Sequence, residues 1–534
     1  MPFPSITPTF SALIRSSAAR FGDCPFLVCA DETLSYAELD RRSARLARTL
    51  LDAGVGKGSH IGILMPNSIN WALTWFAVTR IGAVAVPLNT FYQAEELAWT
   101  VKHADLAMVC AAPGFRSHDF ALRLEQALPG LAEQEHPTLA VHSAPSLRAV
   151  SFTEASDRAW ASCLFEDTPR LDEDHLIAAE SAVTPADRVA LIYTSGSTGE
   201  PKAPVHTQGT VVRHSYNLTF PYGVDGDAVV FTSMPFFWIG GLITGLNAVI
   251  HHGATLITQP AFDAADALEL MERHRATIVL GWPQQGKTLA THPDFNRRDL
   301  SSVRRTSMPA MVAEDRRPSG PFGLGMTELC GNHLGVDPYL PQPPDRLDAG
   351  GYSIEGLEHV IVDPDTGDAV PDGIAGEIWV RGYSLMQGLY KREREDAFTP
   401  DGFYRTGDCG VRQPDGWITF TGRLGDLIKT SGGTNVTPDE VEAALTACDG
   451  VSEAYVVGIS DGDNGTVVAA AVVAGARSTL DGELLRAQVR KRLSAYKVPK
   501  HIWIVAKDEL PFTASGKVRK PVLAEDLGRR VSTT

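Results

Sequence analysis

Short apolar segments and helix-like segments alternate along the first part of the chain. Residues 61–65 and 83–88 are almost continuously apolar, which is the pattern of strands buried on both faces. Between them, apolar side chains recur at helical spacing through Trp71, Trp75 and Ile81. Strands that alternate with helices are typical of parallel sheets with helical crossovers, so the pattern predicts an α/β layered fold.

Capping residues and further apolar runs extend this prediction. Ser35 and Glu38 have the spacing of a capping box, which predicts a helix from there to about Leu51. The same apolar signature predicts three more buried strands, at residues 189–193, 228–234 and 278–282. Residues 133–187 have weak periodicity and many Ser, Pro and acidic residues, so we expect a surface connection with little function there.

The C-terminal part of the chain predicts a separate, compact α+β unit. Strands are predicted at residues 451–460 and 467–473, and a helix at residues 481–493. The longest run of small apolar residues, 467–476, is about half the length that a membrane span requires. We therefore expect no membrane span.

A loop rich in hydroxyls and glycine follows the predicted strand 189–193. It consists of Thr194, Ser195, Gly196, Ser197, Thr198 and Gly199, followed by Glu200, Pro201 and Lys202. Glycines let the backbone approach a ligand closely, and successive N–H groups can then surround an anion. Lys202 adds a positive charge suited to phosphate oxygens. We therefore predict a phosphate site. Because Pro201 separates glycine from lysine, the loop lacks the Walker spacing, which disfavours an ordinary P-loop NTPase.

Length, charge and cysteine usage narrow the class of protein. A chain of 534 residues predicts two or more domains. The net charge of −16 disfavours nonspecific nucleic-acid binding, so no nucleic-acid partner is expected. The seven cysteines are scattered without metal-ligand spacing, which is typical of reduced thiols in a cytoplasmic protein. The N-terminus has no pattern of a signal peptide.

The segment from Thr194 to Lys202 closely resembles the phosphate-binding loop of the adenylate-forming (ANL) superfamily, in its acyl-CoA synthetase branch. The family pattern is roughly T-S-G-S/T-T-G-x-P-K-G, and the chain departs from it only after Lys202, with Ala203 and Pro204. The resemblance implies a large multi-sheet α/β N-terminal domain, residues 1–424, that binds adenylate and acyl groups. A small mobile α+β C-terminal domain, residues 425–534, would follow a hinge near Gly425.

A second motif comprises Gly323, Leu324, Gly325, Met326, Thr327 and Glu328, and it resembles the family's aromatic-Gly-Met-Thr-Glu sequence. The resemblance implies that Thr327 contacts phosphate and that Glu328 holds Mg²⁺, an ion that one carboxylate plus substrate phosphates typically bind. Leu324 replaces the aromatic residue that stacks on adenine in the family. Residues 307–310 occupy roughly the place of the preceding adenine-contacting segment, and the run from there to Gly325 is shortened. Recognition of adenine is therefore expected to differ.

The remaining family motifs lie further along the chain. The resemblance implies that Asp408 accepts hydrogen bonds from the ribose hydroxyls, which suits an ionised carboxylate, and that Arg423 contacts ribose or phosphate. Gly432 and Gly433 would approach the pantetheine arm of coenzyme A. Lys517 would neutralise charge between carboxylate and α-phosphate as pyrophosphate leaves. The predicted catalytic residues are Lys517, Thr327, Glu328 and Lys202.

The resemblance also implies where the acyl pocket lies, at aromatic residues and glycines. In the family, the segment after the predicted strand 228–234 lines this pocket, and the position of Trp238 gates the tunnel by which the thiol arrives. The pocket residues predicted here are Phe237, Trp238, Gly240, Gly281, Trp282 and Cys330. Because this lining is apolar, we expect a hydrophobic or polycyclic carboxylic acid rather than acetate.

Together the motifs predict an acyl-CoA ligase that converts a carboxylic acid to its CoA thioester through an acyl adenylate, using ATP, Mg²⁺ and coenzyme A. Only 17 residues follow Lys517, so a carrier-protein segment is not expected. Three alternatives stay open: a homologue with impaired adenylation that transfers a preformed acyl adenylate to CoA, a stand-alone acyl-AMP ligase or amide-forming synthetase, and a non-catalytic adenylate-binding scaffold. A homodimer and a separate adenylating enzyme also stay open as partners.

Overall fold

The structure is a computed structural model that describes the chain except for residues 1–2, 195–200, 344–345, 347–349, 365, 425–427, 432–433, 437, 463–464, 476–477, 479, 513–517 and 533–534. The chain folds into two compact units. Unit 1 consists of Met1–Thr90, Ala98–Ile192 and Ala203–Gly422. Unit 2 consists of Phe91–Leu97, Tyr193–Lys202 and Arg423–Thr534.

Helices and strands alternate through most of the described residues. The α-helices are α1 (Phe10–Phe21), α2 (Tyr36–Asp52), α3 (Ile69–Arg80), α4 (Ala94–His103), α5 (Phe120–Ala127), α6 (Glu173–Ser181), α7 (Gln208–Asn217), α8 (Thr219–Tyr222), α9 (Asn247–Val249), α10 (Ala264–Arg273), α11 (Pro283–Ala290), α12 (Pro438–Thr446), α13 (Gly482–Val489) and α14 (Lys520–Ser532). The first strands are β1 (Pro25–Cys29), β2 (Glu32–Ser35), β3 (His60–Leu64), β4 (Val84–Pro87), β5 (Met108–Ala111), β6 (Gly114–Phe115), β7 (His118–Asp119), β8 (Ala149–Phe152), β9 (Ala161–Ser162), β10 (Arg188–Leu191), β11 (Pro204–Thr207), β12 (Val229–Thr232), β13 (Thr255–Thr258), β14 (Ile278–Leu280) and β15 (Arg305–Thr306). The later strands are β16 (Leu324–Met326), β17 (Gly331–Gly335), β18 (Gly350–Ser353), β19 (Leu357–Val362), β20 (Ala375–Gly382), β21 (Gly388–Leu389), β22 (Tyr404–Arg412), β23 (Ile418–Arg423), β24 (Ile428–Lys429), β25 (Asn435–Val436), β26 (Val451–Ser460), β27 (Thr466–Ala474) and β28 (His501–Ile504).

A six-stranded sheet in unit 1 has the order β15-β14-β12-β13-β1-β2, and its strands from β15 to β1 pair in parallel. Side chains alternate between its two faces. Val230 and Ile278 belong to the main core, whereas Phe231 and Val279 belong to a second core with residues of α10 and α11. Both faces are therefore buried, which explains the continuously apolar strands.

An eight-stranded sheet in unit 1 has the order β21-β11-β10-β4-β3-β5-β8-β9. The prediction that residues 133–187 form only a surface connection is wrong, because β8 pairs in parallel with β5 inside this sheet. The segment also contains α6, which buries Leu176 and Glu180. The signal was weak because β8 has four residues and most of α6 is polar and exposed.

The helices of unit 1 are tied together by an ion network. The predicted capping box of α2 is confirmed, since Ser35 accepts from the Glu38 N–H and the Glu38 carboxylate accepts from the Ser35 N–H. The fully buried Arg80 of α3 bonds to Asp40 of α2 at 2.9 Å and to Glu180 of α6 at 2.6 Å. A buried guanidinium requires such partners, so this network fixes how the three helices pack.

A seven-stranded sheet, ordered β16-β17-β18-β23-β22-β20-β19, forms the last part of unit 1. The strand pairs described within it are antiparallel. Its core includes Ile378 and Val380 of β20 and Tyr404 of β22. This sheet carries the Thr327–Glu328 motif after β16 and Asp408 on β22.

Unit 2 contains a three-stranded sheet of β26, β27 and β28. One face, with Val456 and Val468, packs against α12 and α13, and the other face, with Val457 and Ala469, packs against α14. The predicted α+β character is confirmed, although the predicted helix 481–493 ends at Val489. Across all the residues that the structure describes, no helix is long and apolar enough to cross a bilayer.

Candidate active site

The two ends of the predicted phosphate loop are joined by their backbones. Thr194 and Lys202 exchange N–H···O bonds of 2.9 and 2.8 Å. This pair forms an antiparallel bridge between the two residues. The predictions for Ser195, Gly196, Ser197, Thr198 and Gly199 lie outside the described residues.

Thr327 and Glu328 lie in a one-turn 3-10 helix, Thr327–Leu329, directly after β16. Thr327 is half-buried, whereas the Glu328 side chain is buried and its Oε1 accepts a hydrogen bond from the Tyr404 hydroxyl at 3.2 Å. The Glu328 carbonyl accepts from the Met386 N–H at 2.8 Å. The turn is therefore held by neighbouring segments of the sheet and presents one carboxylate in a fixed orientation.

The glycines before this turn allow two strands to approach closely. Gly323 has a φ of 105°, and a Cβ there would lie 2.1 Å from the Leu334 carbonyl. A Cβ on Gly325 would lie 2.6 Å from the Asn332 side-chain oxygen. Leu324 and Met326, between and after them, are buried against the sheet core. The geometry therefore explains both glycines by the pairing of β16 with β17, while their predicted cofactor contacts stay predictions.

Leu324 presents no aromatic surface, and the chain before it is irregular. Its side chain is 4% exposed and packs in the core of the seven-stranded sheet. From Ser307 to Gly323 the structure contains only two 3-10 turns, Pro309–Met311 and Glu314–Arg316. The expected departure from the family at the adenine-contacting segment stays a prediction.

Asp408 is 1% exposed on β22, and a second carboxylate bonds to the backbone of its neighbour Gly407. Glu377 of β20 accepts from the Gly407 N–H at 2.9 Å and from the Trp379 indole at 2.7 Å. Thr406 Oγ1 accepts from the Asp408 N–H at 2.9 Å. No role was predicted for Glu377 from the sequence. Its signal was an acidic residue directly before the apolar run 378–380 of β20.

Two buried histidines that were not predicted from the sequence bond to the segment that carries Thr327. Nε2 of His206 lies 2.8 Å from the Thr327 carbonyl, and Nε2 of His214 lies 2.8 Å from the Asn332 carbonyl. Burial lowers the pKa of each imidazole to about 4, so both are neutral at pH 7. These contacts join residues more than a hundred positions apart, so no local pattern could reveal them.

The predicted acyl pocket lies where two parallel strands end. β12 and β14 are neighbours, and the loops after them carry Trp238 and Trp282. The two indoles are half-buried and meet edge to face, with ring centroids 5.7 Å apart, and Phe237 lies 5.1 Å from Trp238. The carboxyl ends of parallel strands are the usual ligand sites of α/β sheets. The structure thus brings these three aromatic residues together at such an edge.

The other predicted pocket residues differ in their surroundings. Gly240 begins a π-helix, Gly240–Leu246, and a Cβ there would meet only Met234, at 3.4 Å. A Cβ on Gly281 would lie 2.6 Å from the Gln285 side chain, so Gly281 is tightly packed. Cys330 is fully buried in the main core, in a left-handed conformation with a φ of 61°. A Cβ on Gly240 would therefore contact one flexible side chain, whereas Cys330 is enclosed.

The predicted residues near the C-terminus are only partly described. Gly432, Gly433, Lys517 and the hinge residue Gly425 lie outside the described residues. For Arg423 the backbone is described, at the end of β23. Their roles stay predictions.

A magnesium ion is the one metal that the motifs imply. Among the described residues, no group of three or more His, Cys, Asp or Glu side chains could hold a metal ion by itself. Mg²⁺ usually takes one or two carboxylates and completes its shell with water and substrate phosphates. The single, buried and oriented carboxylate of Glu328 fits that mode of binding.

Comparisons with known proteins agree with this fold. Residues 14–390 match the AMP-binding enzyme family, and residues 440–517 match the AMP-binding enzyme C-terminal domain. A feruloyl-CoA synthase from Amycolatopsis is 32% identical over 91% of this chain and 92% of its own. A sulfoacetate–CoA ligase from Cupriavidus necator is 30% identical over 97% of each chain. The solved amide bond synthetase McbA from Marinactinospora thermotolerans has a TM-score of 0.78 and 26% identity, over 97% of this chain and 99% of that one.

The chain therefore belongs to the AMP-binding enzyme family, and its relatives include acyl-CoA synthetases and ligases of the adenylate-forming superfamily. The predicted family and the predicted fold class are confirmed, as is the prediction of an enzyme of the acid–thiol ligase type. The acid that is activated and the adenylate mechanism stay predictions.

Proposed function

We propose that the chain is an acyl-CoA ligase that activates a bulky, hydrophobic carboxylic acid, best an aromatic or polycyclic one. The observation that carries this proposal is the pair of half-buried indoles, Trp238 and Trp282, at the carboxyl edge of the parallel sheet. Aromatic faces bind flat apolar ligands through dispersion and ring stacking. An acid as small as acetate would leave this surface exposed to water.

The proposed reaction has two steps, each with a defined leaving group. A carboxylate oxygen attacks the α-phosphorus of ATP, the bond to the β-phosphate breaks, and pyrophosphate leaves. The CoA thiolate then attacks the acyl carbon of the adenylate, and AMP leaves with the former carboxylate oxygen. Both steps develop negative charge on phosphate oxygens, so positioned cations and hydrogen-bond donors supply most of the catalysis.

Each predicted residue has a place in this scheme. Thr327 and Lys202 would bind phosphate oxygens, Asp408 would accept from the ribose hydroxyls, and Lys517 would neutralise charge during the first step. Mg²⁺, held by Glu328, would supply further charge neutralisation on the phosphates. We also propose that residues 425–534 rotate about a hinge near Gly425, so that Lys517 serves the first step and Gly432 the second.

The relatives support the reaction class more than the acid. A feruloyl-CoA synthase, whose named acid is aromatic, is 32% identical, and a sulfoacetate–CoA ligase is 30% identical. Family membership alone is therefore compatible with very different acids. The proposal for an aromatic or polycyclic acid rests on the tryptophan pair.

The test is a direct assay of product. The protein is incubated with ATP, Mg²⁺, CoA and a panel of acids from acetate to polycyclic aromatic carboxylates, and acyl-CoA and AMP are measured by mass spectrometry. We expect equal amounts of acyl-CoA and AMP with aromatic acids and little product with acetate. Lys517→Ala should lose the activity, whereas the exposed Lys507→Ala should keep it. A preference for acetate would contradict the proposed acid class.

A second candidate function is favoured by Leu324 and the irregular segment before it. An adenine-stacking ring is worth about 1 kcal/mol, and this position has a buried leucine instead. On this alternative, adenylation is impaired and the enzyme chiefly transfers a preformed acyl adenylate to CoA, which a separate enzyme would supply. Comparing acyl-CoA formation from synthetic acyl adenylate with formation from acid plus ATP separates the two. Comparable rates would exclude the second candidate.

The similarity to an amide bond synthetase suggests amide formation as an alternative second step, which the same assay can test. An amine would replace the CoA thiol as the nucleophile in the second step, and the first step would be unchanged. Offering amines in the absence of CoA, and measuring amide by mass spectrometry, tests this alternative. We expect CoA to be the faster acceptor.

A further inference from the structure

Two histidines clamp the ends of the segment that carries Thr327 and Glu328. His206, on β11, lies with Nε2 2.8 Å from the Thr327 carbonyl, and His214, on α7, lies with Nε2 2.8 Å from the Asn332 carbonyl. Both side chains are 0% exposed. The two bonded carbonyls bracket the six residues from 327 to 332, so the clamp encloses the turn itself.

The direction of every proton in the clamp follows from the partners. A carbonyl oxygen only accepts, so both Nε2 atoms carry a hydrogen and each neutral ring has a bare Nδ1. Nδ1 of His214 accepts from the Tyr383 hydroxyl at 2.9 Å, and that hydroxyl accepts from Asn217 Nδ2 at 2.6 Å. The second histidine is therefore part of a directed chain from Asn217 through Tyr383 and His214 to the carbonyl of Asn332.

The His206 ring bonds through Nε2 alone in the part of the chain that the structure describes. Its Nδ1 is buried and has no hydrogen-bond partner among those residues. A buried acceptor without a partner destabilises the fold, and a leucine at this position would avoid that cost. The imidazole is therefore explained by what Nε2 does, namely to bond to the carbonyl of Thr327.

The turn between the clamped carbonyls connects the paired strands β16 and β17 and contains a strained residue. Cys330 has a φ of 61°, in the left-handed region that a residue with a Cβ adopts at a free-energy cost. Within the turn, the Cys330 N–H donates to the Thr327 carbonyl at 3.0 Å. Further bonds to carbonyls of the turn come from outside it, from Met386 to Glu328 and from the two histidines. Strained turns persist only when the surrounding structure fixes them in this way.

We propose that His206 and His214 are positioning residues, which hold the Thr327 hydroxyl and the Glu328 carboxylate where they bind the phosphates of the nucleotide. This role rests on the proposed function, because it assigns Thr327 and Glu328 to the nucleotide. The histidines themselves contact backbone and no reacting atom. They set the geometry of the site, and geometry errors of about 1 Å at a reacting group cost about 10- to 100-fold in rate.

Three variants of His206 and one of another histidine test the proposal. His206→Leu fills the volume but removes the donor, His206→Gln keeps a donor at the position of Nε2, and His206→Asn keeps a donor that is too short to reach. The matched control is His251→Leu. His251 is equally buried and also has an Nδ1 that lacks a partner in the described part of the chain, but its Nε2 bonds to Ser215 Oγ, outside the turn.

We expect His206→Leu to lower kcat for acyl-CoA formation by about 10- to 100-fold, with the KM for the acid nearly unchanged. His206→Gln should recover most of the rate, and His251→Leu should keep it while lowering the Tm about as much as His206→Leu. If His206→Leu keeps kcat, or loses no more than His251→Leu, the positioning role is wrong. If His206→Leu does not fold, equal kcat values for His206→Gln and His206→Asn contradict the proposal.

AMP binding separates this proposal from the proposed reaction. Calorimetric titration with AMP needs neither the acid nor CoA, and the loss of one hydrogen bond at the phosphate should weaken the Kd about 5-fold in His206→Leu. An unchanged AMP Kd in His206→Leu counts against positioning. A wild-type protein that binds AMP but forms no CoA ester with any acid would contradict the proposed reaction. The positioning role of the two histidines would then be judged from the AMP Kd values of the wild type and His206→Leu.

Discussion

The Tyr404 hydroxyl donates a hydrogen bond to Glu328 Oε1 across 3.2 Å, and both side chains are buried. This bond joins β22, the strand that carries Asp408, to the turn that carries Thr327. The predicted ribose contact and the predicted phosphate contact are therefore parts of one rigid assembly within the seven-stranded sheet. A substitution at Tyr404 should therefore change the rate of acyl-CoA formation, although no contact between the phenol and the substrate is assigned.

Replacing Tyr404 by Phe should lower the apparent affinity of the enzyme for Mg²⁺. The variant removes one hydrogen bond that orients the Glu328 carboxylate, worth about 1 kcal/mol. The apparent Mg²⁺ affinity in the acyl-CoA assay should therefore fall about 5-fold. Tyr390→Phe is the matched control, because it removes a phenol–carboxylate bond of 2.8 Å to Asp105. Identical Mg²⁺ titrations for Tyr404→Phe and the wild type would argue against a metal role for Glu328.

Adding a side chain at Gly240 should narrow the choice of acid without unfolding the protein. A Cβ there meets only the flexible Met234 side chain, at 3.4 Å, so the fold can accept a valine at this position of the predicted pocket. The ratio of kcat/KM for a bulky acid to that for a small acid should fall about 10-fold or more. Gly241→Ala is the contrast, since its Cβ would lie 2.3 Å from the Pro235 carbonyl and should destabilise the fold. If Gly240→Val leaves the kcat/KM ratio unchanged, the acid does not bind next to Gly240.

The buried ion network should dominate the stability of unit 1. Arg80→Leu leaves the Glu180 carboxylate, 7% exposed, with Arg15 at 2.7 Å as its remaining cation, and the loss of such a charge-assisted bond typically costs about 2–3 kcal/mol. Arg42→Leu breaks the exposed pair with Glu32 and should cost less than about 1 kcal/mol. Urea unfolding followed by tryptophan fluorescence compares them. Equal shifts of the two midpoints would show that the network does not hold the helices.

Stability should fall as the pH drops from about 6.5 towards 4. Burial lowers the pKa of His206, His214 and His359 to about 4 and that of His251 to about 3, from 6.5 when exposed. Between these values the unfolded chain binds more protons than the folded one, so unfolding becomes more favourable as pH falls. Aspartates of lowered pKa, such as Asp337, act only near or below 3.8.

The measurement is the urea midpoint across that pH window in the wild type and in His251→Leu. The variant lacks one of these titrating groups, so its midpoint should depend less steeply on pH. A wild-type midpoint that stays flat between pH 6.5 and about 4 would show that the buried histidines are not held neutral by the fold.

The sequence predicted those parts of the fold that have a local signature. The capping box at Ser35 located the start of α2, and the predicted strand 451–460 coincides with β26. Both depend on residues within one element. Part of the eight-stranded sheet could not be predicted from the sequence, because β8 has only four residues and nothing in them distinguishes a sheet strand from an apolar loop.

The motif residues of the candidate site were predicted from the sequence, but the residues that hold them in place were not. Thr327, Glu328 and Asp408 lie in short motifs that can be recognised along the chain. His206, Glu377 and the π-helix Gly240–Leu246 gain their meaning from contacts with distant segments or from tertiary packing. A single sequence contains no signal for such contacts, which is why the clamp became visible only in three dimensions.

The proposed mechanism requires that the acid is activated as an acyl adenylate before CoA attacks it. The decisive experiment uses an aromatic acid labelled with oxygen-18 in its carboxylate, together with unlabelled ATP, Mg²⁺ and CoA, and follows the label by mass spectrometry. We expect one labelled oxygen in each AMP formed and none in pyrophosphate. AMP without label, or label appearing in inorganic phosphate or pyrophosphate, would contradict an acyl adenylate.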